Sequence, residues 1–255
     1  MYNERSHYVL QPKQNKTQKI KMKTTLKEKV NDSTGTDEIV EATTATGLVP
    51  TASTDLVGDF DASDISFPRL QVAQGVGPLS DTHTKGDIVL DGETVIGGPK
   101  MDPVEFTVLR IAKMYEENVP FGGDEVPRLV ETKAQVLALD GSTDWGHDGE
   151  QPSWKPIADA LVCIKGGDDA GVFPYEHRKE NYAFALWKIK GVAYRRAAVP
   201  IFTASTMYYR DGLRQGSFNL ITEKAVFSGN TVFCPKVTRG ARHDKAFVDW
   251  LADFS

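Results

Sequence analysis

Apolar and polar residues alternate with a period of two along several short stretches of this chain, and that period predicts strands. The clearest is VEFTVLRIAKMYEEN at 104–118, where Val104, Phe106 and Val108 share one parity against Glu105 and Thr107, the pattern of a long half-buried strand. GDIVLDG (86–92), IADALVCIK (157–165) and YAFALWKIKG (182–191) read as further strands, and ISFPRLQVAQGVGPLS (65–80) as a short extended segment bounded by Pro68 and the Gly75–Pro78 turn. SFNLITEKAVF (217–227) and TVFCPKV (231–237) read as two strands joined through a hairpin at Ser228-Gly229-Asn230.

The helical period is rarer. DKAFVDWLADF places Phe247, Trp250, Leu251 and Phe254 at i, i+3, i+4 and i+7, which is one face of a helix. AAVPIFTASTMYYRDG (197–212) reads as a helix with Pro200 in its first turn, where the missing N–H costs least, and Asp211-Gly212 as its stop. LVETKAQVLAL (129–139) fits a short helix or a strand. DGSTDWGHDGEQPSW (140–154) has only loop signals, and IGGPK (96–100) falls between turns.

Strands outnumber helices without a regular strand–helix alternation, which disfavours a doubly wound parallel sheet. The expected fold is mainly β: an OB-like barrel with an inserted helix and a C-terminal helix, over residues 66–255. Residues 1–65 show neither period and are rich in Thr, Lys, Asp, Glu and Ser, so a disordered tail is expected there. Met22 would make a natural start, with the stretch before it an extension.

Composition adds limits. The 255 residues suffice for a sizeable core, and no run of about 18 apolar residues predicts a membrane span. No apolar stretch follows the Lys-rich start as a secretory signal would require. Cys163 and Cys234 stand far apart without a CxxC or a histidine pair nearby, so two buried thiols of a cytosolic protein are expected rather than a zinc site.

Charge is unevenly placed. The net charge of −5 hides eight Lys and Arg against two Glu in residues 1–29, and eight Asp and Glu with no Lys or Arg in residues 30–65. Residues 173–214 carry eight basic residues, Arg178, Lys179, Lys188, Lys190, Arg195, Arg196, Arg210 and Arg214, against Glu176, Glu180 and Asp211. A local patch speaks to partners even where the net charge does not.

Signatures of catalysis are missing. The chain has no GxxxxGK[ST], HExxH, GxSxG or GxGxxG motif, and its five histidines are scattered. No cofactor, no metal and no catalytic residue is expected. The acidic loop Asp144, His147, Asp148 and Glu150 lacks the register of a calcium loop; a nuclease reading would have to use it with a divalent cation.

The basic residues of 173–214 are interleaved with Phe173, Tyr175, Tyr182, Phe184, Trp187, Tyr194, Phe202, Tyr208 and Tyr209. Phe184 and Phe202 are expected in the core. Single-stranded nucleic acid is held by a positive groove that follows the phosphates and by aromatic faces on which bases stack. The candidate nucleic-acid-binding residues are therefore Trp187, Lys188, Lys190, Tyr194, Arg195, Arg196, Tyr209, Arg210 and Arg214, with Arg178 and Lys179. The acidic, aromatic C-terminus, with Asp249, Trp250, Asp253 and Phe254, is a candidate partner-binding element or a helix packed on the body.

FALWKIKGVAYRRAAVPIFTASTMYYRDGL (184–213), GSFNL (216–220) and GNTVFCPKV (229–237), with the early FPRLQVAQGVGPLS (67–80) and KGDIV (85–89), resemble single-stranded-DNA-binding proteins of tailed bacteriophages, over about residues 65 to 250. The resemblance implies an OB-like fold that coats single-stranded DNA during phage replication or recombination, in the cytoplasm of the infected bacterial host. It maps the binding surface on Trp187, Lys188, Lys190, Tyr194, Arg195 and Arg196, with Arg210 and Arg214 near it. Replication or recombination proteins are implied as partners through the C-terminus; a homo-oligomer would be compatible. The chain departs from the family pattern in having no Cys-rich insert and in closing on Ser255 rather than on Phe after a dense acidic run. A capsid-associated structural protein would share the tail and the β-rich body.

Overall fold

The computed structural model describes residues 66–120, 125–227 and 229–254. The expected N-terminal tail, residues 1–65, lies outside them.

Among the described residues the protein is mainly β, about 41% strand against 20% helix. A meander of β1 (Leu70–Val72), β2 (Ile88–Leu90) and β3 (Thr94–Gly97) forms one small antiparallel sheet. Ile96 and Gly97 of IGGPK thus end a strand, while Pro99 and Lys100 form the turn that follows. The large sheet is built from β4 (Val104–Glu117), β5 (Leu129–Val130), β6 (Trp154–Lys165), β7 (Tyr175–His177), β8 (Glu180–Ile189), β9 (Gly216–Phe227) and β10 (Asn230–Arg242). Its order is β10-β9-β4-β6-β8-β7, with β5 paired to the far end of β4, and every pairing is antiparallel.

The expected barrel does not form, because β10 and β7 end the sheet without pairing with each other. Pro235 sits within β10, and a residue with no N–H suits an edge strand because it offers no donor to a further neighbour. The meander ties the two sides of the sheet by single contacts in place of a ladder. At β8 the Leu186 N–H donates to Pro68 O at 2.8 Å, and Arg69 and Leu186 form one isolated parallel bridge. At β10 the Gln74 side-chain amide donates to Phe233 O at 2.7 Å, while the Thr222 hydroxyl of β9 donates to Gly86 O at 2.7 Å.

One face of the sheet buries the main core. Phe106, Val108, Ala160, Val162, Trp187, Ile189, Phe218 and Leu220 pack there with Leu70, Ile88 and Leu90 of the meander. Helix α2 (Val199–Met207), entered through a π-helical turn at Tyr194–Ala198, closes this core with Ala197, Ala198, Ile201 and Ala204. Pro200 stands in the first turn of α2 as expected. The helix stops earlier than Asp211-Gly212, since the N–H groups of Tyr208 and Tyr209 both donate to Ala204 O at 2.9 Å.

Helix α3 (Lys245–Ala252) covers one end of the opposite face. Its Phe247 and Leu251 pack on Cys163, Tyr182 and Phe184. Each such side chain contributes roughly 1.5–3 kcal/mol by leaving water. Asp244 caps the helix by accepting from Phe247 N–H at 2.9 Å. Residues 129–139 divide into β5 and the short α1 (Lys133–Ala138), which is closed by a Thr132–Gln135 capping box. Cys163 and Cys234 are both buried free thiols, and burial pushes the Cys163 thiol far up. Among the described residues no helix is long and apolar enough to cross a membrane.

Candidate nucleic-acid interface

Period-two geometry divides β8 between its two faces. Trp187 and Ile189 point into the main core, while Leu186, Lys188 and Lys190 are exposed on the other parity. Trp187 is therefore not a base-stacking surface: it is 3% exposed and meets Phe106 edge-on, with ring centroids 5.8 Å apart. Phe184 is buried under α3, as a core assignment requires, and Phe202 is half-buried against the core.

Beyond the edge of α3 the exposed face of the sheet continues as two cross-strand rows. One runs Arg69, Leu186, Leu161, Arg110 across four neighbouring strand segments, and the next runs Lys188, Asp159, Ala112. Three strand spacings of this kind set the Arg69 and Arg110 backbones about 14 Å apart. The first row thus has a guanidinium at each end and an apolar floor between them. A bulge between Val108 and Arg110 makes this possible, because it shifts the parity of β4 and brings Arg110 onto the face opposite Val108.

These rows line a groove of about 910 Å³ whose basic residues are Arg69, Arg110, Lys188 and Lys190 and whose one carboxylate is Asp159. Lys188 Nζ stands 3.9 Å from Asp159 Oδ2, beyond hydrogen-bond distance. Asp159 Oδ1 is buried and has no hydrogen-bond partner among the described residues. Lys190 reaches Glu116 at 3.3 Å. Arg69 and Arg110 are exposed and make no ion pair among the described residues. Phe233 of β10 adds a part-buried aromatic to the wall.

The π-helical turn carries the next predicted residues. Tyr194 is half-buried, 6.4 Å from the Phe202 ring, and burial raises its hydroxyl while the nearby Lys113 ammonium pulls it down. Arg195 is exposed. Arg196 instead reaches Glu223 at 3.5 Å, and Glu223 also takes Lys236 at 2.6 Å.

After α2 the two tyrosines differ in environment. Tyr209 is buried in the core, 2% exposed and edge-on to Phe218, so it is not available for stacking. Its neighbour Tyr208 is 48% exposed. The Arg239 guanidinium lies over the Tyr208 ring at 4.0 Å, and Arg242 donates to Tyr208 O at 2.9 Å. Arg210 is exposed and Arg214 half-buried. Arg239 and Arg242 escape a reading centred on 173–214 because they lie at the end of β10, where a register shift brings both toward α2.

Arg178 and Lys179 form the two-residue tip of the β7–β8 hairpin, both with positive φ, 51° and 67°. Two non-glycine residues in that conformation give no sequence signal for such a turn. Arg178 is tied to Asp244 at the start of α3 and stands apart from the groove lining. In the C-terminal helix Trp250 and Phe254 pack on Phe184, and Phe254 also on Tyr175. These rings cover the protein's own sheet instead of standing free for a partner. Asp249 pairs with Lys245 at 2.8 Å, and Asp253 is exposed. In the acidic loop Asp144 pairs with Lys133 at 3.1 Å, and no three His, Cys, Asp or Glu side chains converge as metal ligands among the described residues.

Protein-family models, curated proteins and solved structures were each compared with this chain, and none of them matches it.

Proposed function

We propose that this chain binds single-stranded DNA without catalysis, through the groove between Arg69 and Arg110. The observation that carries the reading is the pair of exposed guanidiniums at the two ends of one cross-strand row, with Lys188 and Lys190 beside them. Phosphates of a flexible strand are neutralised by such a track, and the apolar floor at Leu186 accepts base or sugar surface. Within the groove stacking is left to Phe233, with Tyr194 and Tyr208 outside its lining, since Tyr209 is in the core and Trp187 is buried. The affinity should therefore rest mainly on phosphate contacts. The layout of charge also suits the resemblance to phage single-stranded-DNA-binding proteins, which places the activity in phage DNA replication or recombination.

A salt series of anisotropy titrations with fluorescein-labelled oligo-dT, run beside duplex DNA, tests this. The expected result is tighter binding of the single strand, with log affinity falling by roughly 0.7 per phosphate contact per unit of log salt, so a slope of about −3 for four contacts. No binding of the single strand at low salt overturns the reading.

A further inference from the structure

The groove that we read as the nucleic-acid site also contains a group that phosphates cannot use. Asp159 stands in the row next to the apolar floor, between Lys188 on β8 and Ala112 on β4. A carboxylate beside a phosphate track repels phosphate. Its Oδ1 is buried with no donor among the described residues, and its Oδ2 lies 3.9 Å from the Lys188 ammonium. The side chain is 39% exposed as a whole, but its buried oxygen stays costly until an N–H donor reaches it. The methyl side chain of Ala112 leaves the far side of Asp159 uncrowded, and the terminal torsion of an aspartate is broad, so the carboxylate can turn toward the groove.

We propose that this groove selects guanine among the bases of a single strand, an inference that rests on the groove being the nucleic-acid site. Guanine alone presents two adjacent N–H donors, at N1 and N2, which match the two oxygens of Asp159. Its O6 is next in line and takes a hydrogen bond from Lys188 Nζ. Thymine has one donor, flanked by two carbonyl oxygens, so one of them faces the second carboxylate oxygen. Adenine and cytosine each set an amino donor beside a ring-nitrogen lone pair, and that lone pair faces the carboxylate. The purine rings would rest on the Leu186 side of the groove, with Arg69 and Arg110 on the flanking phosphates. Reading a base by its Watson–Crick edge is available here because a single strand leaves that edge open.

The test uses the full chain and a set of short labelled oligo-dT strands in which two separated thymines are replaced by guanine, inosine, adenine or cytosine. The expected result is about tenfold tighter binding of the guanine strand than of the others, as a bidentate contact typically gives. Inosine, which keeps O6 and N1–H but lacks the N2 amino group, should fall between. In Asp159→Asn the guanine preference should vanish while oligo-dT binding is retained or strengthened, because a negative charge has left the groove. Equal binding of all strands by the wild-type chain overturns the guanine assignment and leaves the single-strand reading intact. A guanine preference that survives Asp159→Asn, or one equally strong for inosine, also overturns it. Failure to bind any strand overturns both readings. The inosine comparison needs no variant, so it holds even if Asp159→Asn does not fold.

Discussion

Trp187 lies edge-on to Phe106 at 5.8 Å, and that contact joins β8 to β4 across β6 in the middle of the core. The segment containing Trp187 is basic on one parity and core on the other, so its largest aromatic contributes to stability and not to the groove. Trp187→Ala should cost about 3–5 kcal/mol, with the denaturation midpoint in urea dropping accordingly. Trp187→Phe should retain most of that stability and, once folded, bind oligo-dT as the wild type does. A folded Trp187→Phe protein with greatly weakened DNA binding would contradict this assignment.

The two guanidiniums of the groove give the sharpest electrostatic prediction. Arg69→Ala and Arg110→Ala are surface changes that should leave the thermal midpoint nearly unchanged. Each should reduce the salt slope of oligo-dT binding by about 0.7 if its guanidinium meets one phosphate. The double variant should reduce it by about twice that, since the two positions are separated by Leu186 and Leu161 and act independently. Arg196→Ala should have a smaller effect, because its guanidinium is already engaged by Glu223.

Most of the elements were legible in the sequence because the period-two runs are long and their turns carry glycine. The β9–β10 hairpin, closed by the pairing of Phe227 with Asn230, and the apolar face of α3 are both where the pattern puts them; Ser228 lies outside the described residues. Closure of the sheet was not legible, because it depends on which edges meet. Pro235 on β10 and the single Arg69–Leu186 bridge decide that, and both are non-local. The site was legible in part. Parity placed Lys188 and Lys190 on one face, but the same parity sends Trp187 inward. Arg69 and Arg110 could not be found by composition, since neither sits in a basic cluster and it takes the bulge in β4 to turn Arg110 onto the groove.

Tyr208 and Tyr209 are adjacent in sequence and opposite in environment. Tyr208→Ala should leave stability within about 0.5 kcal/mol, as surface changes do. It should weaken single-strand binding if Tyr208 stacks on a base, a contact worth roughly 1–3 kcal/mol. Tyr209 instead buries a hydroxyl with no partner among the described residues. Tyr209→Phe should therefore be neutral or stabilising, by up to about 1–3 kcal/mol, the cost of an unsatisfied buried polar group. Gly216 is packed against the same ring, where a Cβ would come within 2.2 Å of the Tyr209 hydroxyl. Gly216→Ala should destabilise the wild type, and nearly as much when combined with Tyr209→Phe, because the ring carbons Cζ and Cε1 would still lie 2.3 and 2.5 Å from the added Cβ. Thermal melts of the four proteins form the cycle that tests this.

His243 should make the seating of α3 dependent on pH. It lies between the end of β10 and the cap residue Asp244, bonded to the Thr107 hydroxyl at 2.7 Å and packed on Phe247 with ring centroids 4.5 Å apart. Burial pushes its pKa below the ordinary histidine value, against the opposing pull of Glu105 and Asp244. A folded-state pKa lowered in this way means that the unfolded chain binds the proton more readily, so stability rises with pH through that range. The contribution is complete above the ordinary histidine pKa and is lost as pH falls through the lowered folded value. Asp244 acts in the same sense at more acid pH, where protonation removes the acceptor that Phe247 N–H and Arg178 hold. The other charged groups that line this pocket are Glu105, Lys165, Arg178, Glu180 and Arg242. The urea midpoint should therefore fall between neutral pH and pH about 5. The decline should be smaller in His243→Asn, which keeps a hydrogen-bonding side chain beside Thr107 but does not titrate. An equal decline in both proteins would assign the pH dependence elsewhere.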